Sequence, residues 1–263
     1  MKLAVTEFLN TYPLIWYFEK EMNQYDIEIT KTTPAGCASL LLQNKVEGGV
    51  MPISTYAYHQ DIAILLNPCI ASRGHVRTVK LYSNSKIDSI YDVVVDQDSR
   101  TSVILLKIIL SLKYKKHKLT FFKGDVSEIK EINDEFGYMM IGDKNFLVKE
   151  RFEYVYDLAA EWVEWVKLPI VFASWMLEKN IDMRKNVRII KKAYTTGMAN
   201  FEELCDDASK RWHLPVDAVK DYFKENLAYE LGFDGVKAIK LFFEMAFQLK
   251  LLPKVSSVHF IDV

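Results

Sequence analysis

A short segment in the middle of the chain carries the residue types needed to bind an anion. Ser99, Arg100, Thr101 and Ser102 place three hydroxyls and one guanidinium in four consecutive positions. They lie between a predicted buried strand, DVVVD, and a predicted apolar helix, VILLKIILSL. Because the first N–H groups of a helix have no partner within it and lie at the positive end of its dipole, the segment predicts an anion site. The alternative is ordinary helix capping by Ser99 or Thr101.

Other polar residues follow or occupy predicted strands and could face the same ligand. Asn10 and Thr11 follow the first strand, where the Asn10 amide could cap the next helix or contact a ligand, and position alone favours neither role. Ser54 follows the third strand and could be a helix cap or a ligand donor. Thr78 lies within a strand, where threonine commonly serves only as a strand former.

The segment Ile141–Gly142 ends another predicted strand and is a further candidate for ligand contact. Glycine there permits a ligand to approach the backbone closely. The alternative is a plain turn in which Asp143 caps the following helix.

No motif in the sequence indicates a metal or a cofactor. The histidines show no metal-ligand spacing, the cysteines are far apart, and no P-loop, GxGxxG or GxSxG motif occurs. We therefore expect no cofactor and no metal, and we expect the cysteines to be buried and inert. The residues concerned are His59, His75, His117, His213, His259, Cys37, Cys69 and Cys205.

The elements that must position these side chains indicate an α/β protein with two lobes. Predicted strands at 2–5, 26–30 and 48–51 alternate with helices at 11–21 and 34–44, and the alternation restarts near residue 92. The other predicted strands are 62–70, 76–82, 92–95, 119–122, 138–141 and 168–175, and the other predicted helices are 101–114, 126–132, 183–206, 215–226 and 234–251.

The two-lobe organisation sets where a ligand should bind. We expect one lobe to comprise residues 1–86 and 174–263, including the C-terminal helices, and the other to comprise residues 87–173. A chain that crosses twice between two α/β lobes places its ligand in the cleft between them, where strand ends and helix starts converge.

Composition narrows the class of partner. The 263 residues carry 34 Lys and Arg against 35 Asp and Glu, a net charge of −1, which argues against a nucleic-acid partner. No apolar run approaches the length of a membrane span, and the first residues lack the apolar core of a signal peptide. We therefore expect a cytoplasmic protein with no membrane partner, either a monomer or a homodimer.

Seven segments taken together resemble the menaquinone-biosynthesis family of the futalosine route, and within it the chorismate dehydratases. The segments are FLNTYPL at 8–14, VEGGVMP at 46–52, GHVRTVKLYS at 74–83, DSRTSVILLKIIL at 98–110, MMIGD at 139–143, YDLAAEWVEWVKLPIVFASW at 156–175 and ENLAYELG at 225–232. The resemblance implies a two-lobed fold like that of type II periplasmic binding proteins. It implies conversion of a small dicarboxylate, chorismate, to 3-[(1-carboxyvinyl)oxy]benzoate and water, without a cofactor.

The resemblance also implies roles for particular residues. Asn10 would be catalytic and would hold the substrate near its leaving hydroxyl, and Thr78 retains a hydroxyl where the family usually has serine. Glu47, Ala159 and Lys167 depart from the residues usual in the family. The family suggests a substrate-assisted reaction, in which the enolpyruvyl carboxylate of chorismate removes the proton.

Two other functions remain open on the sequence. One is the sister enzyme of the same route, 1,4-dihydroxy-6-naphthoate synthase, which should show an SPCPNDT-like segment where this chain has EFLNTYP. The other is a binding or sensor protein of the same fold that holds a small anion without converting it.

Overall fold

The computed structural model describes residues 1–21, 26–126, 132–148, 152–179 and 183–261, which form two sheets with helices packed against them. The strands are β1 (Lys2–Thr6), β2 (Glu28–Thr32), β3 (Gly48–Pro52), β4 (Ile62–Ser72), β5 (Val79–Ser83), β6 (Asp92–Asp96), β7 (Thr120–Gly124), β8 (Phe136–Ile141), β9 (Tyr154–Asp157), β10 (Ile170–Glu178) and β11 (Phe260–Ile261). The helices are α1 (Tyr12–Lys20), α2 (Pro34–Leu42), α3 (Thr101–Ile108), α4 (Leu158–Val166), α5 (Met183–Ala199), α6 (Phe201–Trp212), α7 (Val216–Asp221) and α8 (Phe233–Gln248).

The first sheet has the strand order β11-β4-β10-β3-β1-β2. β1 pairs in parallel with β2 and β3, as the alternating pattern predicts, and β10 runs antiparallel between β3 and β4. Gly49 has φ 155°, and a Cβ there would lie 1.9 Å from the Ala4 carbonyl oxygen. Glycine at this position therefore lets β3 approach β1 closely enough to pair.

The second sheet has the strand order β7-β6-β8-β5-β9. β6 pairs in parallel with β7 and β8, while β5 runs antiparallel to β8 and β9. The expected fold class, two α/β lobes with a cleft between them, is confirmed.

The exact lobe boundaries differ from the prediction. β5 belongs to the second sheet, so the chain leaves the first sheet after Ser72 rather than near residue 86. β10 belongs to the first sheet from Ile170 onward, so the return precedes residue 174. The error has a physical cause: 62–70 and 76–82 are similar apolar runs, and an apolar run does not reveal which strands it will pair with.

The C-terminal helices complete the first lobe. α5 packs on α1, and α8 packs on β10 and also reaches α3. The predicted helix at 183–206 is two helices, α5 and α6, separated at Asn200, whose side chain donates to the Thr196 carbonyl oxygen at 2.8 Å. Strand β9 was not predicted. The predicted helix at 126–132 falls almost wholly outside the described residues.

Candidate functional site

A cavity lies between the two sheets, with about 570 Å³ of empty space counting its open mouth. Its apolar walls come from loops and strand ends of the first sheet and from the segments around β5 and β10. The apolar lining residues are Phe8, Pro34, Val50, Pro52, Ile70, Val76, Val79, Phe172 and Ala173. Sequence patterns alone did not mark this lining, because the residues come from segments distant in the chain.

The structure brings most of the predicted site residues into this one cavity. Eight of the ten line it: Asn10, Thr78, Ser99, Arg100, Thr101, Ser102, Ile141 and Gly142. Thr11 and Ser54 do not line it. Both are almost fully buried behind the wall, and their hydroxyls bond to neighbouring side chains, so ligand contact by these two stays a prediction.

The start of α3 forms one polar wall. Arg100 takes the N-cap position without a side-chain capping bond, and the Thr101 hydroxyl bonds to Ser54 instead of to its own helix. The Ser99 hydroxyl oxygen is buried and has no hydrogen-bond partner among the described residues. The capping alternative for Ser99 and Thr101 therefore does not account for their hydroxyls. A buried hydroxyl without a partner, beside free helix N–H groups, is a donor available to an anion.

Asn10 forms part of the opposite wall, in the turn between β1 and α1. Its side-chain oxygen accepts a hydrogen bond from the Thr11 hydroxyl at 3.2 Å, and Thr11 bonds to the Thr6 hydroxyl at 2.6 Å. The Tyr229 hydroxyl donates to the Asn10 carbonyl oxygen at 3.1 Å. The Asn10 side-chain amide is therefore held in one orientation by Thr11.

Thr78 and Gly142 lie side by side between these walls. The Gly142 N–H donates to the Thr78 carbonyl oxygen at 2.9 Å, and the Asn145 side chain donates to the carbonyl oxygens of both residues. Gly142 has φ 73°, and a Cβ there would lie 2.9 Å from the Phe8 ring. Only glycine allows Phe8 to close over this part of the cavity.

Two contacts join the lobes at the edge of the cavity. The Ser54 N–H donates to the Thr101 hydroxyl at 3.3 Å, and the Leu9 N–H donates to the Asp143 carboxylate at 3.0 Å. Burial raises the pKa of Asp143 to about 6, against the lowering effect of the Leu9 N–H and of the Trp212 side chain. The possible role of Asp143 as a helix cap is thus replaced by a contact between lobes.

Asp157 stabilises the segment that connects the two lobes, and the sequence did not indicate a role for it. Its carboxylate accepts the N–H groups of Val76 at 3.1 Å and Arg77 at 2.7 Å, and it also caps α4 through Ala159 and Ala160. Arg77 has φ 65°, an unusual conformation that this carboxylate stabilises. The Val76 and Arg77 partners of Asp157 lie at least 80 residues earlier in the chain, so no local sequence pattern could indicate this contact.

The cavity contains donors rather than acid–base groups. Among the described residues, none of those lining it is Asp, Glu, His, Lys, Tyr or Cys. The described residues also contain no group of acidic, histidine or cysteine side chains that could hold a metal ion. The three cysteines are buried, as predicted, and burial raises the pKa of each thiol. None of the helices in the described part of the chain is long and apolar enough to cross a membrane.

The fold is that of a two-lobed α/β protein of the periplasmic-binding-protein type, with a cavity between the lobes. The family described as menaquinone biosynthesis matches residues 1–248. The chain belongs to this family.

Similar proteins agree with that assignment. A chorismate dehydratase from Thermus thermophilus is 25% identical over 230 residues, covering 80% of this chain and 82% of the relative. Protein AF1704 from Archaeoglobus fulgidus has a similar structure, with a TM-score of 0.75 at 15% identity, covering 95% of this chain and 98% of the other. The periplasmic aliphatic sulphonate binding protein SsuA from Escherichia coli has a TM-score of 0.64 at 10% identity, covering 97% and 94%. The two structures show the fold.

Proposed function

We propose that this protein is a chorismate dehydratase, a carbon–oxygen lyase that converts chorismate to 3-[(1-carboxyvinyl)oxy]benzoate and water. The reaction removes the ring hydrogen at C3 and the hydroxyl at C4, and the product ring is aromatic. The family and the relative named chorismate dehydratase support this proposal. Chorismate is the dicarboxylate that the cavity would take, and the protein would act in the cytoplasm as a biosynthetic enzyme.

One observation carries the proposal. The cavity sets the buried, unpartnered Ser99 hydroxyl and the start of α3 on one side and the Asn10 amide on another, and no acid–base side chain lines it among the described residues. Such a site can orient and stabilise charge but has no group of its own to remove a proton. A substrate that carries its own base fits this site.

The chemistry then divides between the substrate and the protein. The enolpyruvyl carboxylate of chorismate takes the C3 proton, the bond from C4 to oxygen breaks, and the departing hydroxide takes up that proton as water. Charge that develops at C3 spreads to the ring carboxylate through the conjugated double bonds. Donors from Ser99, Ser102 and the first turn of α3 stabilise this charge.

Asn10 assists the leaving group in this proposal. With its oxygen engaged by Thr11, the amide has N–H groups to offer the C4 hydroxyl as it departs. Thr78 and the apolar walls fold the substrate so that its carboxylate lies near C3, an orientation effect that can supply a large part of the rate enhancement.

Turnover of chorismate tests the proposal directly. The purified protein is incubated with chorismate, and the product is separated by liquid chromatography and identified by mass. We expect 3-[(1-carboxyvinyl)oxy]benzoate at a rate proportional to protein concentration. Calorimetric titration with chorismate is run in parallel, and binding without product would contradict the dehydratase assignment.

That contradicting outcome defines the second candidate, a small-anion binding protein without chemistry. The absence of an acid–base side chain from the described lining favours it more than any other alternative. The sister naphthoate synthase should use a histidine in the second lobe as its base. It is disfavoured, because no histidine lines the cavity among the described residues.

A further inference from the structure

We propose that Tyr222 is a positioning residue that orients Asn10 and Thr78 toward the substrate from behind the cavity wall. The proposal rests on the function proposed above. Tyr222 begins a π-helical turn that follows α7, in the C-terminal part of the chain. It does not line the cavity, and none of the sequence motifs marked it.

The Tyr222 ring is fixed by burial and by aromatic contacts. Its side chain is 0% exposed, and the ring lies edge-to-face with Phe146, with the centroids 5.1 Å apart. Phe223 packs at 6.0 Å from the same ring. A fully buried tyrosine needs a partner for its hydroxyl, and here the partners are residues of the site.

The Tyr222 hydroxyl bonds to Thr78 and lies beside Asn10. It is 2.8 Å from the Thr78 hydroxyl, and the nearby Asn10 side chain, acting as a donor, lowers the pKa of Tyr222 against the effect of burial. Burial raises the pKa of Tyr222 far above its ordinary value, so the hydroxyl keeps its proton at any working pH.

Each hydroxyl and amide in this series of hydrogen bonds can be assigned as donor or acceptor in one consistent way. Thr11 donates to the Asn10 side-chain oxygen, so the Asn10 nitrogen is the atom that faces Tyr222. Tyr222 accepts from Asn10 and donates its own proton to Thr78. The Thr78 hydroxyl in turn donates to the Val76 carbonyl oxygen at 3.4 Å.

This order of donors and acceptors determines which hydrogen-bonding atoms remain for the substrate. One Asn10 N–H is used by Tyr222, which leaves the second N–H for the leaving hydroxyl, and Thr78 presents an acceptor lone pair. Asn10 comes from the loop after β1 and Thr78 from the crossing before β5, so Tyr222 also sets their spacing across the cleft. The C-terminal segment thereby acts on the site without touching the substrate.

Tyr222→Phe removes the hydroxyl and keeps the ring. We expect kcat for chorismate to fall by about 10- to 100-fold, because the reacting groups lose their fixed orientation. We expect KM to change by less than about threefold, because ring burial and the donors at α3 remain. The matched control is Tyr56→Phe. Tyr56 is equally buried, and its hydroxyl makes two bonds, to Ser257 and His259, away from the cavity.

A second measurement tests the contact between Tyr222 and Asn10 independently of turnover. In protein labelled with ¹⁵N-asparagine, the side-chain amide signals of Asn10 are assigned by their loss in Asn10→Ala. Tyr222→Phe should shift this pair of signals, and Tyr56→Phe should leave it in place.

The outcomes separate the two proposals. Unshifted Asn10 signals in Tyr222→Phe, or a kcat equal to that of Tyr56→Phe, would overturn the role of Tyr222 while the dehydratase assignment stands. A wild-type protein that does not convert chorismate would overturn the dehydratase assignment, and the amide signals alone then decide whether Tyr222 holds Asn10.

Discussion

Single side chains around the cavity divide into those that face a ligand and those that hold them. Sequence position made Ser99 and Gly142 candidates for the lining and left Asn10 open between helix capping and ligand contact; all three line the cavity. It could not separate Thr11 from Asn10, since adjacent residues in a turn differ in direction by their backbone angles. The Ser54 hydroxyl accepts a bond from Thr101, a residue of the other lobe that no local pattern could indicate.

Loss of the Asn10 amide should abolish most turnover. Asn10→Ala removes the group proposed to donate to the leaving hydroxyl, and we expect kcat to fall roughly 100- to 1,000-fold. The fold should survive, because the β1–α1 turn keeps its backbone bond from the Thr11 N–H to the Phe8 carbonyl oxygen. Steady-state kinetics and the thermal midpoint are measured together. Kinetics like those of the wild type would remove Asn10 from the mechanism.

The Ser99 hydroxyl should matter for binding and not for stability. Ser99→Ala removes a buried hydroxyl without a partner among the described residues, so the free energy of unfolding should not fall. The dissociation constant for chorismate should rise roughly tenfold, measured by calorimetry. Thr55→Val is the control, because the Thr55 hydroxyl is also buried and unpartnered but does not line the cavity. Equal dissociation constants in the two variants would show that the Ser99 hydroxyl does not contribute to chorismate binding.

Asp143 gives the protein a pH dependence with a definite sign. Its pKa is raised to about 6 from 3.8, so between these values the folded state holds a proton that the unfolded state releases. Stability from this group is therefore present at low pH and lost as pH rises through about 6. Asp143→Asn keeps an acceptor for the Leu9 N–H without the charge. In chemical unfolding, we expect the free energy of unfolding of Asp143→Asn minus that of the wild type to increase by about 1–3 kcal/mol between pH 4 and pH 7. A constant difference would contradict this.

At the scale of helices and strands, local patterns predicted the elements better than their partners. The alternation of short apolar strands with helices predicted the β1–β3 unit, and the hydroxyl-rich segment predicted the start of α3. The placement of β5 in the second sheet could not be read from its apolar run, since pairing depends on β8 and β9, which lie 50 or more residues later. The crossing held by Asp157 is likewise a contact between distant segments.

The turn after β8 should show whether glycine is needed for conformation or for space. Gly142 and Gly232 have similar backbone angles, φ 73° and ψ −164° against φ 60° and ψ −147°. Alanine at either should destabilise the fold by about 1–3 kcal/mol. An added Cβ at Gly142 would meet the Phe8 ring, whereas a Cβ at Gly232 has no described heavy atom within 4 Å. Gly142→Ala should therefore also lose chorismate turnover, while Gly232→Ala keeps it. Similar kcat/KM values in the two variants would show that Phe8 does not shape the site.

The whole molecule has a net charge of −1, yet its proposed substrate is a dianion. Attraction by overall charge is therefore absent, and recognition must come from short-range donors inside a cavity where Arg100 is the charged lining residue among those described. Contacts within such a cavity are screened little by salt, unlike long-range attraction. We expect kcat/KM for chorismate to change by less than about threefold between 50 and 500 mM NaCl. Arg100→Gln should remove most of the remaining salt dependence of kcat/KM. A steep decline with salt, unaltered in Arg100→Gln, would place the recognition of charge outside this cavity.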